Sequence, residues 1–162
     1  MQGHKIIDDF LPARDLINLQ TIVYSREFDW YYIKDINDLE PKDSLGIYFV
    51  HMAFQSGRAS RYMHTFSSIL ARLEIRSLIR IKVNLYPRTS TIEVHAPHVD
   101  EGFSHTGAIF YLNTNNGKTI LEDNTEIDSV ANRILLFDAS QKHSSTSTTD
   151  SKARFNVNIN YE

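Results

Sequence analysis

Ala153-Arg154-Phe155-Asn156-Val157-Asn158-Ile159-Asn160-Tyr161 alternates apolar and polar side chains over its whole length. Successive side chains of a β-strand project to opposite faces. Ala153, Phe155, Val157, Ile159 and Tyr161 therefore share one face, and Arg154, Asn156, Asn158 and Asn160 share the other. In a plain sandwich such a polar face meets water. In a jelly roll whose outer face is covered by helices, it lines a ligand cavity. The strand alone leaves both arrangements open.

The same period of two begins at residue 78, where Ile79, Ile81, Val83 and Leu85 alternate with Arg80, Lys82, Asn84 and Tyr86. Further strands are predicted at 92–100, 105–112, 117–122, 132–138 and 141–148, with Asn116-Gly117 as a tight turn between two of them. Before residue 78 the spacing is partly helical. Pro12 suits a first turn, and Leu16, Leu19 and Val23 predict a helix over 12–25. Phe66, Ile69, Leu70 and Leu73 predict a second over 65–76. Trp30–Ile33 and Gly46–Phe54 carry the aromatic and β-branched residues of strands, separated by the polar loop Lys34–Ser44. Short strands preceded by two helices predict a mainly β fold with N-terminal helices, a sandwich or jelly roll with helices packed on one sheet.

At 162 residues the chain has the size of one domain, 1–162, with 1–77 as a helix-containing support region and 78–162 as the jelly-roll core. Hydrophobic residues at 41% and charged residues at 23% exclude a disordered or collagen-like chain. No run approaches the eighteen or so apolar residues of a membrane span, so no membrane partner is expected. Met1-Gln2-Gly3-His4-Lys5 lacks the basic-then-apolar layout of a signal peptide, and cytoplasmic residence is the expectation. Cysteine is absent, which removes disulfides, thiolate zinc sites and cysteine nucleophiles. Any metal must be held by nitrogen and oxygen, which suits iron, zinc, manganese or copper. The net charge of -3 implies no partner. Residues 55–90 do deviate, with Arg58, Arg61, Arg72, Arg76, Arg80, Lys82 and Arg88 against Glu74 alone. Such a stretch is a solvated face or a contact for nucleic acid or an acidic substrate.

His98-Val99-Asp100 sets an imidazole and a carboxylate at i and i+2, the same face of a strand, about 6.5–7 Å apart. His143, opening a strand downstream, is the best third ligand. Two histidines and one carboxylate on one face leave open positions on an octahedral ion, the pattern of non-haem iron(II) oxygenases. A His-x-Asp triplet alone arises often by chance. His4, His51 and His64 are ordinary surface or core residues on this reading. His95-x-x-His98 with Asp100 would instead suit zinc, and His105 a ligand or a donor to one. A cupin-like metal-binding barrel, a zinc hydrolase or sensor without oxygenase activity, is the alternative; cupins usually show His-x-His with a following Glu. A binding module that meets nucleic acid through residues 55–90 is a third reading.

The order of features around the triplet resembles the 2-oxoglutarate/iron(II)-dependent oxygenases, in particular the prolyl-hydroxylase-like branch and its small stand-alone, phage-type members. The resemblance runs from about Leu85 to Tyr161. It comprises Leu85-Tyr86-Pro87, His98-Val99-Asp100, Phe110-Tyr111-Leu112-Asn113, Asn116-Gly117-Lys118-Thr119, Asn132-Arg133-Ile134-Leu135-Leu136-Phe137, His143 and Arg154, with a fainter echo in Ile6–Pro12. It implies a double-stranded β-helix (jelly roll) and a dioxygenase using Fe(II), 2-oxoglutarate and O2, with succinate and CO2 as co-products. His98, Asp100 and His143 match the family's iron ligands, and Arg154 the basic residue that binds the far carboxylate of 2-oxoglutarate. Tyr111 matches a donor to that carboxylate; Thr119 and Tyr86 match positions beside the cosubstrate, and Asn84 shares the face of Tyr86. The usual Gly-Gly is Asn116-Gly117 here, and the run Ser144–Lys152 carries no substrate-binding signature. Halogenating members replace the carboxylate ligand by a small residue, so retention of Asp100 implies hydroxylation. The likeness points to a protein side chain as substrate, while nucleic acid and a small metabolite stay open.

Overall fold

The computed structural model describes residues 3–33 and 47–162. The loop expected at Lys34–Ser44, and Gly46 of the following strand, lie outside the described residues. The elements run β1 (Lys5–Ile7), α1 (Ala13–Val23), β2 (Tyr31–Ile33), β3 (Tyr48–Gln55), β4 (Arg58–Ala59), a 3-10 turn at Met63–Phe66 and α2 (Ser67–Leu70). Then come β5 (Leu78–Pro87), β6 (Thr106–Tyr111), β7 (Asn115–Leu121), β8 (Glu126–Ser129), β9 (Ile134–Asp138), β10 (His143–Ser145) and β11 (Ala153–Tyr161). Two antiparallel sheets result. The major sheet has the order β1-β9-β6-β11-β5-β3-β2 with β4 against β3, and the minor sheet the order β10-β7-β8. This is the mainly β jelly-roll arrangement expected from the alternating strands.

β11 lies at the centre of the major sheet, paired with β5 on one side and β6 on the other. Its apolar face meets the helices. Val157, Ile159 and Tyr161 join Ile81 and Val83 of β5, Ala108 and Phe110 of β6, Leu19 and Val23 of α1, and Phe66 and Ile69 of the second helical segment. Each such aliphatic or aromatic side chain, when fully buried, contributes about 1.5–3 kcal/mol, which fixes the register of β11 and so the direction of its polar face. That opposite face looks toward the minor sheet, where a smaller cluster of Ile109, Tyr111, Leu135 and Phe137 packs on Ile127 of β8.

Two asparagines from the sequence motifs tie the chain together. Asn113 accepts from Phe155 N–H at 2.9 Å and donates to Ala153 O at 2.8 Å, clamping the backbone on either side of Arg154. Asn132, in the left-handed region at φ 67, accepts from Leu11 N–H and donates to Leu11 O. With the Arg133–Asp8 ion pair at 2.6 Å, this anchors the N-terminal segment against β9.

Three local expectations are corrected. The helical stripe over 65–76 yields only a 3-10 turn and one short α-turn, because Arg76 and Ser77 must pair with Glu162 beside the sheet. Residues 92–100 form no continuous strand; they touch the minor sheet through isolated bridges at Val94 and His98. Asn116-Gly117 is no hairpin turn. It lies inside β7, at a register shift between Asn115 and Lys118.

Candidate metal centre

The three residues of the suspected triad meet although no strand carries the His-x-Asp triplet. His98 and His143 face each other in an antiparallel bridge, each N–H donating to the other's carbonyl at 2.9 Å. Their rings lie 4.6 Å apart. Asp100 N–H donates to Ala139 O at 3.1 Å, which turns its carboxylate toward both rings. His98 Nε2 is 3.8 Å from Asp100 Oδ1 and His143 Nε2 is 3.9 Å from Oδ2. One ligand atom from each residue lies within 4.8 Å of the others, within reach of a single ion.

The protonation states suit a metal. His143 Nδ1 faces Gln141 O at 3.1 Å; a carbonyl only accepts, so Nδ1 carries the proton and the Nε2 lone pair is free. That Nε2 is buried and has no partner in the protein. Burial lowers the pKa of His143, and burial together with the neighbouring His143 pushes that of His98 down to about 4. Burial alone would raise the Asp100 carboxyl, but Arg80, His143, Lys82 and the Asn158 hydrogen bond outweigh it and hold it below the usual carboxylate range. Two neutral imidazoles and one carboxylate are therefore present at neutral pH, the donor set a divalent iron accepts.

Asp100 is fixed from behind. Arg80 Nη2 donates to Oδ1 at 2.6 Å and Asn158 Nδ2 to Oδ2 at 3.1 Å. Neither was singled out in the sequence as a site residue. Both sit on polar faces of alternating strands, and that alternation was the available signal. Arg80 and Lys82 belong to the basic stretch 55–90, yet they turn into the barrel, whereas Arg58, Arg61, Arg72, Arg76 and Arg88 are exposed.

Beside the triad opens a cavity of about 290 Å³, lined by Lys82, Asn84, Tyr86, Thr119, Asn156 and Asn158 among others. Asn84 donates to Asn156 across the β5–β11 pair at 2.8 Å, and Tyr48 stacks on Tyr86 with ring centroids 5.4 Å apart. Burial, the larger influence, and Arg80 push the Lys82 pKa down to about 8.

Arg154 and Tyr111 do not line the open cavity; they stand behind Thr119. Arg154 is 0% exposed, with Nε donating to Ser129 Oγ at 2.8 Å, Nη1 to Thr146 O at 3.3 Å and Nη2 to Thr119 Oγ1 at 3.0 Å. Tyr111 Oη donates to the same Thr119 oxygen at 2.8 Å, and the guanidinium lies 5.4 Å from the Tyr86 ring centroid. Among the described residues Arg154 has no carboxylate partner. Gly117 permits this placement: a Cβ there would come 2.6 Å from Arg154 Cδ and 2.7 Å from Ser147 O. Ser129, on a strand absent from the expected set, is the acceptor that sequence reading missed.

The other histidines stay outside. His51 is a satisfied core residue between Asp29 O and Ser60 Oγ, each at 2.8 Å. His95 bonds Ser145 Oγ at 2.8 Å and leans on Tyr86, while His105 Nδ1 bonds Phe103 O. Neither joins the group that could hold a metal ion among the described residues, which removes the His95-x-x-His98 zinc arrangement.

No protein-family model and no curated protein sequence matches the chain. Solved structures do. A prolyl hydroxylase from Trichoplax adhaerens, in complex with a hypoxia inducible factor oxygen degradation domain peptide fragment, superposes with a TM-score of 0.71 at 15% identity, over 99% of this chain and 84% of the other. A Pseudomonas putida prolyl-4-hydroxylase gives 0.68 at 16% identity, over 99% and 92%. The epimerase SnoN, in complex with Fe3+, alpha ketoglutarate and nogalamycin RO, gives 0.65 at 12% identity, over 98% and 78%. The chain thus has the fold of the 2-oxoglutarate/iron(II) oxygenases, the prolyl hydroxylases among them.

Proposed function

We propose that this protein is an iron(II)- and 2-oxoglutarate-dependent dioxygenase that hydroxylates a protein side chain. The observation that carries the reading is the pairing of two features across one cavity. At one end stands a group of two neutral histidines and a carboxylate; beyond the other, directly behind Thr119, lies a fully buried arginine without an acidic partner among the described residues. A buried, uncompensated guanidinium is costly unless an anion joins it, and its planar fork suits a carboxylate. A dianionic keto acid that reaches from metal to arginine satisfies both ends.

On this reading His98, Asp100 and His143 hold the iron, and Arg154, Tyr111 and Thr119 hold the far carboxylate. Tyr86 and Asn84 form the wall beside the cosubstrate. Iron(II) with 2-oxoglutarate and O2 supplies an oxidation that places one oxygen atom on the substrate and the other in succinate, with release of CO2. The chain's own contribution is positional. Arg80 and Asn158 keep the Asp100 carboxylate ionised and aimed. Thr119 accepts from both Arg154 and Tyr111, so its own hydroxyl proton is free to turn toward the cavity. The stacked Tyr48 and Tyr86 rings give that wall an apolar surface.

Two considerations favour a protein side chain as substrate. One is the likeness in fold to a prolyl hydroxylase bound to a peptide. The other is the inward turn of Arg80 and Lys82, which removes two cations from any outer nucleic-acid-binding face.

Anaerobic titration of the metal-free protein with iron(II) and then 2-oxoglutarate tests the reading. A weak visible charge-transfer band should develop, and Asp100→Ala should abolish both the band and iron-dependent succinate formation. Succinate formation by a metal-verified Asp100→Ala sample would overturn it, as would a wild-type protein without the band.

A further inference from the structure

The cavity holds a cation that the proposed roles do not use. Along the inner face of β5, Arg80, Lys82, Asn84 and Tyr86 succeed one another, each pair of positions about 6.5–7 Å apart. Arg80 is committed to Asp100 at 2.6 Å, and Tyr86 lies under Arg154. Lys82 stands between them, opposite Asn158, whose amide holds the other Asp100 oxygen. Its side chain lines the same cavity as His98, Asp100 and His143. It makes no hydrogen bond or ion pair with any described residue.

The charge balance makes this placement informative. Among the residues that line the cavity, Arg80 and Lys82 bring two positive charges and Asp100 one negative, the histidines being neutral; Glu101, 4.0 Å from Arg80, stands outside that lining. A divalent metal raises the surplus further. A lysine facing a metal site repels the ion it faces, unless an anion lies between them. A keto acid held between the triad and Arg154 would bring a carboxylate into the cavity that Lys82 lines, and so an anion between lysine and metal. Resting on the proposed function, we infer that Lys82 binds the metal-chelating carboxylate of the keto acid, so that metal and keto acid bind cooperatively.

Two opposite signs follow. Without keto acid, Lys82→Met removes a repulsion and tightens metal binding. With metal bound, the same change removes the carboxylate's partner and loosens the keto acid. A merely structural lysine would move both in one direction or neither.

The test is calorimetric titration of wild-type, Lys82→Met and Lys82→Arg protein with manganese(II), then of each manganese-loaded protein with 2-oxoglutarate and with 2-oxopentanoate, which keeps the keto group and near carboxylate but lacks the far one. Circular dichroism checks that each variant is folded. Lys82→Met should bind manganese several-fold more tightly. It should bind both acids about 10- to 100-fold more weakly, by the same factor for each, with Lys82→Arg close to wild type. Equal affinities in wild type and Lys82→Met overturn the inference and leave the oxygenase reading standing. A loss confined to 2-oxoglutarate also overturns it, because Lys82 would then serve the far carboxylate. A manganese-loaded wild-type protein that binds neither acid overturns both.

Discussion

Replacing Arg154 by methionine separates the cost of a buried cation from its use. The side chain is wholly enclosed and held by three uncharged acceptors, Ser129, Thr146 O and Thr119. Methionine fills similar volume and loses those hydrogen bonds, but it also removes a desolvated charge. The two effects oppose each other, so the ligand-free melting temperature should move by only a few degrees. Binding has no such offset. Truncating one partner of a buried, hydrogen-bonded charge pair costs about 2–5 kcal/mol, or about 30-fold to several thousand-fold in affinity. At a 2-oxoglutarate concentration about 1,000 times the wild-type Kd, the ligand stabilises the metal-loaded protein by about 4.1 kcal/mol. For a chain of this size that is a rise of roughly 8–16 °C. A 100-fold loss of affinity leaves about 1.4 kcal/mol of stabilisation, a rise of only roughly 3–6 °C. Scanning calorimetry of manganese-loaded wild type and Arg154→Met, with and without 2-oxoglutarate, reads the difference directly. Manganese affinity should be unchanged, because Arg154 touches none of the three ligands. Equal ligand-induced shifts in the two proteins would refute the assignment of Arg154 to the far carboxylate.

Gly117→Ala should destabilise the protein by about 1–3 kcal/mol, since the new methyl would meet Arg154 Cδ at 2.6 Å and a backbone oxygen at 2.7 Å; a melting temperature equal to wild type would show that β7 yields at no cost. The pH dependence of the metal-free protein follows from its histidines. His51, His95, His98 and His143 all have lowered pKa values, chiefly through burial, with His95 and His98 at about 4 against an ordinary 6.5. Between those values the unfolded chain binds more protons than the folded one, so stability falls as pH drops from 6.5 toward 4 and this contribution is exhausted below 4. Thermal melts from neutral pH downward should decline through that window; a flat profile would contradict the burial of these rings.

The parts of the fold legible in the sequence are those where period and environment agree. β11 and β5 alternate strictly because one face packs on helices and the other lines the barrel. α1 is legible because Leu19 and Val23 are buried at helical spacing. Misreadings arise where a local signal is overruled by distant contacts. The 65–76 stripe gives way to pairing with Glu162, and Asn116-Gly117 is shaped by Arg154 packing above it rather than by a turn. β8, Glu126-Ile127-Asp128-Ser129, has one apolar residue and no period to detect, so the Ser129 acceptor of Arg154 was invisible. Arg80 and Lys82 illustrate a deeper ambiguity. A polar strand face looks the same in sequence whether it meets bulk water or an enclosed cavity, and only the closing of the minor sheet over it decides.

That closure explains why the polar interior persists despite its cost. Buried polar atoms without a protein partner carry a penalty of about 1–3 kcal/mol each, and a core free of ligands would select against them. Of the nine such atoms among the described residues, five gather around one place: Arg80 Nε, Asn84 Oδ1, His98 Nδ1, His143 Nε2 and Asn158 Oδ1 belong to residues that line the cavity, while the other four lie on Thr65, His105 and Asn160. The apolar face of β11, packed on two helical segments, supplies the stability that offsets this penalty. If the unpaired atoms were incidental, apolar replacement of Asn84 and Asn156 together would stabilise the protein and leave keto-acid affinity unchanged. If they are held for a ligand, the double replacement stabilises the ligand-free protein but weakens 2-oxoglutarate binding, and the two effects are measurable in the same calorimetric scan.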